Sequence, residues 1–213
     1  MEVSQLIPFI RHIINESPTI TDDFTIETDA ALTEFILAAM KQIALMPGYQ
    51  TTPVPLSSEE NITFSQRPDG LYYAVIKAPA DFLAPSSIHL EGWVSPVYTF
   101  IPVTDSLYQA QYSSAKGIGN GPRLPIAFLA SEQDTIVVAH AVNEPGKCDF
   151  RYIAEPSVKE DGTIQHFQTD KYRECLAYTA AALYLQSVNE YDAAKVAFDT
   201  ASTYLQTTNK EQS

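Results

Sequence analysis

The 213-residue sequence has few basic residues: 13 Lys and Arg stand against 26 Asp and Glu, a formal net charge of −13 at pH 7. Tight binding to the phosphate backbone of nucleic acid requires clustered positive charge. Bulk binding of nucleic acid is therefore disfavoured. The acidic excess is largest at the N-terminus, because residues 1–60 contain nine acidic residues and two basic ones.

Long hydrophobic runs are also missing. The apolar stretch at residues 6–10 ends at Arg11 and follows no basic segment, which does not match a secretory signal peptide. The most apolar helix candidate, Cys175 to Val188, is shorter than the ~20 residues that span a bilayer. We therefore expect a soluble protein without a membrane partner.

Cysteine is scarce: Cys148 and Cys175 are the two in the chain, and no CxxC motif is present. Such an isolated pair favours two free thiols in a reducing compartment, with a disulfide as the alternative. The four histidines show no HxxxH, HxH or Cys/His spacing, so a metal site would need ligands from distant segments. They are His12, His89, His140 and His166. We expect neither a metal nor another cofactor.

Proline and glycine are absent from the last 51 residues, since none of either lies beyond Gly162. Without these breakers, the C-terminal tail is predicted to be helical. Twelve of the 14 prolines lie from Pro47 to Pro156, among runs of Tyr, Val, Ile and Phe, which predicts short strands and long loops. The predicted strands are Leu71–Lys77, Ile88–Trp93, Val97–Ile101, Ile126–Ala130, Thr135–Val142 and Phe150–Ala154.

Two N-terminal segments have apolar residues at helical spacing. The first is a short amphipathic stretch from Leu6 to Ile13, and the second predicts a helix over about 29–46. Thr28 or Asp29 can cap the second helix, and Pro47-Gly48 ends it.

The C-terminal tail is predicted to form an αα-hairpin. Asp170 can cap a first helix that runs to about Val188, and a second helix begins near Tyr191. Alanines such as Ala181 and Ala194 allow close backbone approach, which suits packing against another helix or another subunit. The high helix propensity of alanine explains them equally well.

These elements predict an α+β fold rather than an α/β fold, because the strands do not alternate with helices. We expect an N-terminal helical segment (1–48), a central β-rich domain (49–165) and a C-terminal helical hairpin (166–213).

One glycine-rich loop has basic residues beside it. It contains the candidate interface residues Lys116, Gly117, Gly119, Asn120 and Arg123. A P-loop needs Lys-Ser/Thr after its last glycine, and a dinucleotide fingerprint must open a helix, which Pro122 and Pro125 forbid. An ordered surface or interface loop is favoured over a phosphate cradle.

The acidic pairs and the densest aromatic patch each have a purely structural explanation as well as a functional one. The pairs Asp22-Asp23, Glu59-Glu60 and Glu160-Asp161 lie in polar stretches, which favours solvated loops over a catalytic dyad. The patch consists of Trp93, Tyr98, Phe100, Tyr108 and Tyr112. It could stack bases or sugars, but its near-alternate spacing favours one face of a β-core.

Two resemblances are present. Tyr191-Asp192 with Ala193, Phe198 and Ala201 resembles the second helix of a tetratricopeptide unit, but stacked arrays need about three units and one is present here. A broader set of motifs resembles the ring proteins at the head–tail junction of short-tailed, crAss-like phages. These motifs are Pro79-Ala80-Asp81-Phe82-Leu83, Gly92-Trp93-Val94-Ser95-Pro96-Val97, Asp105-Ser106-Leu107-Tyr108, Gln111-Tyr112-Ser113, Gly117-Ile118-Gly119-Asn120, Arg123-Leu124-Pro125, Ala177-Tyr178-Thr179-Ala180-Ala181-Ala182-Leu183 and Glu190-Tyr191-Asp192-x-Ala194. The resemblance covers roughly residues 78–205, about 60% of the chain.

The phage resemblance implies a structural virion protein that is not an enzyme. It implies a head–tail connector: a closed ring of about twelve copies below the portal, assembled in the host cytoplasm. The implied partners are further copies, the portal protein and other ring or tail proteins. DNA would pass through the ring without sequence-specific binding, and an acidic channel surface would repel it. The alternatives are a carbohydrate-active β-protein that uses Trp93 and the acids, and a monomeric adaptor that binds peptides through its C-terminal hairpin.

Overall fold

The structure is a computed structural model. It describes residues 2–15, 28–47, 49–50, 52–56, 61–66, 70, 72–110, 125–130, 135–142 and 144–210. The helices are α1 (Val3–Asn15), α2 (Asp29–Ala44), α3 (Ser106–Ala110), α4 (Arg173–Ser187) and α5 (Tyr191–Lys210). The strands are β1 (Val54–Pro55), β2 (Ile62–Gln66), β3 (Tyr72–Lys77), β4 (Phe82–Leu90), β5 (Phe100–Pro102), β6 (Ala127–Leu129), β7 (Thr135–Val142), β8 (Cys148–Ala154), β9 (Ser157–Val158) and β10 (Ile164–Gln165).

The chain divides into two compact units. One unit combines both ends of the chain, residues 1–52 and 155–213, and the other is the continuous segment 53–154. The helices at the two ends thus share one core, while the central strands form another. The α+β prediction, with helices at both ends and strands between them, is confirmed.

In the helical unit, α4 is the central helix and packs against α1, α2 and α5. Its sequence is apolar or small on nearly every side, which is typical of a helix surrounded by others. The α4–α5 hairpin turns at Asn189, whose φ of 66° is a left-handed conformation that asparagine tolerates. Sheet β9–β10 belongs to the same unit.

The helix ends differ in how well the sequence predicts them. Thr28 is the N-cap of α2, and its hydroxyl accepts a hydrogen bond from the backbone amide of Ala31. The prediction that Asp170 caps the next long helix is wrong. A turn continues to Tyr172, which is the N-cap of α4 and makes no side-chain capping bond.

The central unit contains two sheets. One has the order β2-β3-β7-β6-β5, with β5 and β6 parallel and the other pairs antiparallel. The second has the order β1-β8-β4, antiparallel throughout. The core of this unit includes Ile76, Ile88, Leu90, Trp93 and Phe150.

The strand predictions succeed where β-branched residues dominate, as in β7, whose bounds match Thr135–Val142. The prediction Ile88–Trp93 is wrong at both ends, because β4 begins at Phe82 and ends at Leu90. Pro85 lies inside β4, between two register shifts in its pairing with β8. Proline is tolerated at β-bulges and on the edge strands of a sheet. A prediction from local sequence alone assigns such a proline to a loop.

Candidate functional site

The loop that holds Lys116, Gly117, Gly119, Asn120 and Arg123 lies outside the described residues, as does Tyr112 of the aromatic patch. Their predicted roles remain predictions from the sequence.

The two candidate interface alanines lie inside the helical unit. Ala181 is fully buried on α4, and Ala194 is nearly so on α5. Both belong to the cluster where α4 packs on its neighbours. Of the two uses that their size allows, the structure shows helix packing within the chain.

The aromatic patch does not form one face. Trp93 is 5% exposed and packs in the β-core, whereas Tyr98 is 70% exposed. Tyr108 lies edge-on to Phe128, with 5.1 Å between ring centroids, and Phe100 is partly buried. The prediction of a single core face is wrong, because Trp93 and Tyr98 lie at the two ends of an irregular turn rather than on one strand.

That turn lies within residues 88–98, which we call the tip hairpin. The backbones of Ile88 and Val97 exchange two hydrogen bonds, of 3.0 and 2.8 Å. A tight turn follows Leu90, whose carbonyl accepts from the amide of Trp93 at 3.0 Å. Gly92 occupies its third position with a φ of +90°, the geometry of a type II turn.

Two further contacts fix the loop. The imidazole Nε2 of His89 lies 3.2 Å from the carbonyl oxygen of Trp93. The indole side chain of Trp93 is buried, and its Nε1 has no hydrogen-bond partner among the residues that the structure describes. Leaving such a donor unpaired costs about 1–3 kcal/mol. Burial of the large apolar ring in the β-core offsets this cost.

The tip hairpin carries two exposed apolar side chains. Val94 is 74% exposed and Tyr98 is 70% exposed. These are the two highest values among the exposed large hydrophobic residues in the described part of the chain. No charged residue occurs from Gly92 to Tyr98. Sequence reasoning missed Val94, because one apolar residue between a buried Trp and a Ser-Pro pair gives no periodic signal.

A cleft of about 590 Å3 lies in the same unit, and we call it the β8 cleft. It is lined by Ile62, Phe64, Gly146, Lys147, Cys148 and Asp149. Glu91 of the tip hairpin contacts the lining residue Lys147, since its Oε2 accepts a hydrogen bond of 2.9 Å from the backbone amide of Lys147. The carboxylate of Asp149 lies 3.4 Å from Nε of Arg151, a solvent-exposed ion pair.

The thiol of Cys148 is neutral in this cleft. Desolvation by burial, and to a smaller extent the negative charge of Asp149, raise its pKa from 9.0 to about 12. Cys175, in the helical unit, is also desolvated, with a pKa of about 11. Both are free thiols, as predicted. A protonated thiol is a poor nucleophile and metal ligand, so neither cysteine is placed for covalent chemistry.

The acidic pair that the structure describes is a solvated turn. Asp161 accepts a hydrogen bond of 2.9 Å from the amide of Thr163, and this bond lowers the pKa of the carboxyl. Glu160 is exposed beside it. The other two pairs, Asp22-Asp23 and Glu59-Glu60, lie outside the described residues.

Within the described ranges, no group of three His, Cys, Asp or Glu side chains could hold a metal ion. No helix in the part of the chain that the structure describes is long and apolar enough to cross a membrane. No protein-family model and no curated protein matches this sequence.

Proposed function

We propose that this chain is a structural subunit of a bacteriophage head–tail connector, a ring assembled below the portal around the DNA channel. The observation that carries the proposal is the tip hairpin: seven consecutive uncharged residues present exposed Val94 and Tyr98 on a chain with a net charge of −13. Large apolar side chains exposed so close together in sequence are a feature that an association surface would explain.

Two motifs of the phage resemblance also support the connector proposal, because each lies where the chain enters a strand or a helix. Asp81 accepts a hydrogen bond of 2.9 Å from the hydroxyl of Tyr152 where β4 begins. Asp105 accepts one of 2.8 Å from the amide of Leu107 where α3 begins. Such residues define backbone shape rather than chemistry, in keeping with a structural protein.

The acidic surface fits passage of DNA. Closely spaced like charges repel the duplex, so a channel lined by this chain would let DNA slide without sequence-specific contacts. The partners in this proposal are further copies of the chain, the portal protein and neighbouring ring or tail proteins, and the location is the virion after assembly in the host cytoplasm.

The carbohydrate-active alternative is less well supported. Stacking on a sugar requires an accessible aromatic face, and the ring of Trp93 is buried in the core. The peptide-binding adaptor has one observation in its favour. The outer side of α5 exposes Tyr191 and Val196, with exposed fractions of 60% and 67%.

Size-exclusion chromatography with light scattering, on the chain with and without its portal, separates these proposals. A connector gives a closed oligomer with the portal, whereas an adaptor or enzyme of the kinds named stays monomeric beside it. A chain that remains monomeric with the portal present would contradict the connector.

A further inference from the structure

We propose that copies of this chain associate by joining their five-stranded sheets edge to edge, with β2 of one copy pairing with β5 of the next. This inference rests on the proposed self-assembly and specifies its contact. The contact is a β-ladder, because the unpaired backbone groups of an edge strand are a template for another strand.

Both edges of this sheet are open. In the part of the chain that the structure describes, β2 pairs with β3 alone and β5 pairs with β6 alone. β5 follows Tyr98 and Thr99, which are exposed, and the backbone of neither makes a hydrogen bond to another described residue. The two open segments, residues 62–66 and 98–102, have the same length. They can therefore pair from end to end.

Neither edge is protected against pairing along its length. Edge strands of monomers are usually protected by charged side chains, proline or bulges. No charged residue occurs in 61–66 or in 92–104, and β2 pairs with β3 without a register shift. In the other sheet, both edge strands contain proline: Pro55 in β1 and Pro85 in β4. In β5, Pro102 is the last residue, so residues 98–101 keep their amides.

The topology of the sheet gives its two edges opposite directions. The pairs from β2 through β3 and β7 to β6 are antiparallel, and β5 is parallel to β6, so β5 runs opposite to β2. A second copy added in the same orientation therefore places its β5 antiparallel to β2, which is the more stable pairing. Such a contact is heterologous, and heterologous contacts generate rings when the rotation closes.

The register of the sheet predicts which residues meet. Pairing between neighbouring strands joins Phe64, Ala74, Ala139, Ala127 and Phe100 in one row. Phe64 and Phe100 thus lie on the same face of the sheet, and both pack against the same core cluster. If the row continues into the next copy, the two phenylalanines lie opposite each other, and cross-strand aromatic pairs stabilise a ladder.

These matches select a second copy as the occupant of the edge. A different protein would need one open edge, whereas association that continues beyond a dimer needs two edges of complementary direction and register. The same register places Ser65 opposite Thr99 of the next copy, and Gln66 opposite Tyr98. No carboxylate meets another within this ladder, although the chain has a net charge of −13.

Thiol cross-linking tests the contact. The variant carries Ser65→Cys in β2 and Thr99→Cys before β5, with Cys148→Ser to remove the partly buried native thiol. It is mixed with its portal at high protein concentration, treated with a short bismaleimide and resolved under denaturing conditions. Edge-to-edge pairing predicts a ladder of dimer, trimer and higher species, because each copy carries both halves of the link.

The matched control moves one cysteine to α5: Thr99→Cys with Ser202→Cys and Cys148→Ser, where Ser202 is exposed in the helical unit. The proposal predicts a ladder in the first variant and none in the control. Dimers alone would overturn it, because they indicate a two-fold contact such as β2 against β2. Equal ladders in both variants, or no cross-link in either, would also overturn it.

A charge exchange tests the same pair without a cross-linker. Ser65→Glu with Thr99→Glu should weaken self-association by about tenfold or more, because like charges then meet across the ladder. Ser65→Lys with Thr99→Glu should restore it. Ser202→Glu with Thr203→Glu adds the same negative charge at exposed sites on α5 and should leave association unchanged. The emission of Trp93, the single tryptophan, should stay blue-shifted in every variant that keeps its fold.

The outcomes separate this inference from the proposed function. Folded edge variants that assemble as well as the α5 control, or a lysine–glutamate pair that restores nothing, would overturn the contact and leave the connector standing if the wild-type chain forms rings with the portal. A cross-linked ladder from a chain that forms no ring with the portal would support the edge contact and refute the connector.

Discussion

The backbone amide of Gln50 donates a hydrogen bond of 3.1 Å to the phenolic oxygen of Tyr172, which lies 122 positions later in the chain. A second bond of this kind, of 3.0 Å, runs from the backbone amide of Gln168 to the hydroxyl of Tyr49. The rings of Tyr49 and Tyr172 lie 4.6 Å apart. These bonds join the segment after α2 to the segment before α4, so the two ends of the chain form one helical unit.

Removing one of these hydroxyls should destabilise that unit. Tyr172 is buried, so Tyr172→Phe leaves the amide of Gln50 without its partner, and we expect the free energy of unfolding to fall by about 1–2 kcal/mol. Urea denaturation followed by circular dichroism measures it. Tyr191→Phe is the control: its hydroxyl bonds Asn189 at the exposed surface, and its effect should stay below about 0.5 kcal/mol. Equal losses in the two variants would show that the buried hydroxyl of Tyr172 contributes no more to stability than an exposed one.

The buried alanines should not accept larger side chains. Ala181→Leu adds three carbons where α4 packs on its neighbours, and overpacking of this kind lowers stability by about 1–3 kcal/mol. Ala38→Leu, on the exposed side of α2, should change stability by less than about 0.5 kcal/mol. Thermal unfolding of both variants provides the comparison. An Ala181→Leu chain as stable as the wild type would mean that the helices are less closely packed than the structure shows.

The tip hairpin depends on backbone shape at Gly92. A Cβ at this position meets nothing within 4 Å, so the penalty of Gly92→Ala comes from its φ of +90° alone. We expect a loss of about 1–2 kcal/mol. Gly92→Asn should lose less, because asparagine adopts positive φ more readily. Red-shifted Trp93 emission at lower urea in the alanine variant would report the loosened loop, and identical transitions for both variants would contradict the strain.

Alkaline pH should destabilise the fold. Burial raises the pKa of Cys175 from 9.0 to about 11, and raises that of Tyr152 from 10.0 to about 12 with help from its bond to Asp81. The unfolded chain therefore releases these protons at lower pH than the folded chain does. The associated stability is complete below about pH 9 and is lost as the pH rises to about 12.

Urea titrations between about pH 8 and about pH 11 measure this slope. Cys175→Ala removes one contributing group, so the decline between about pH 9 and about pH 11 should become shallower, whatever its effect on baseline stability. A stability that is flat or rising over that interval would contradict the desolvated state of these groups.

The glycine-rich loop yields a prediction from the sequence. Lys116 and Arg123 are two of seven basic residues in 61–169, and we expect them to pair with carboxylates of a neighbouring subunit. Lys116→Glu with Arg123→Glu should leave the subunit folded and weaken assembly, more so at low salt, where exposed charges are least screened. Lys77→Glu with Lys195→Glu makes the same change in net charge at exposed sites in β3 and α5. Equal assembly of the two double variants would show that the loop is ordinary surface.

Local pattern predicts most elements of this fold. The spacing of apolar residues predicts α2, the missing proline and glycine predict the α4–α5 hairpin, and the β-branched run predicts β7. The pairing of the two chain ends was not predictable in this way, since bonds such as that of Gln50 to Tyr172 join residues far apart in sequence.

The candidate association surface was less predictable. Trp93 and Tyr98 are both aromatic residues, so composition alone does not predict which of them is buried. The burial of Trp93 depends on its packing in one cluster with residues of β4 and β8. The β8 cleft joins residues of β2 to residues more than 80 positions away, so no spacing rule could assemble it.

Native mass spectrometry of the chain mixed with its portal tests the central claim most directly. The connector proposal predicts a closed ring of about twelve copies, a single mass with the symmetry of the portal. A strictly monomeric chain in the presence of the portal would contradict it.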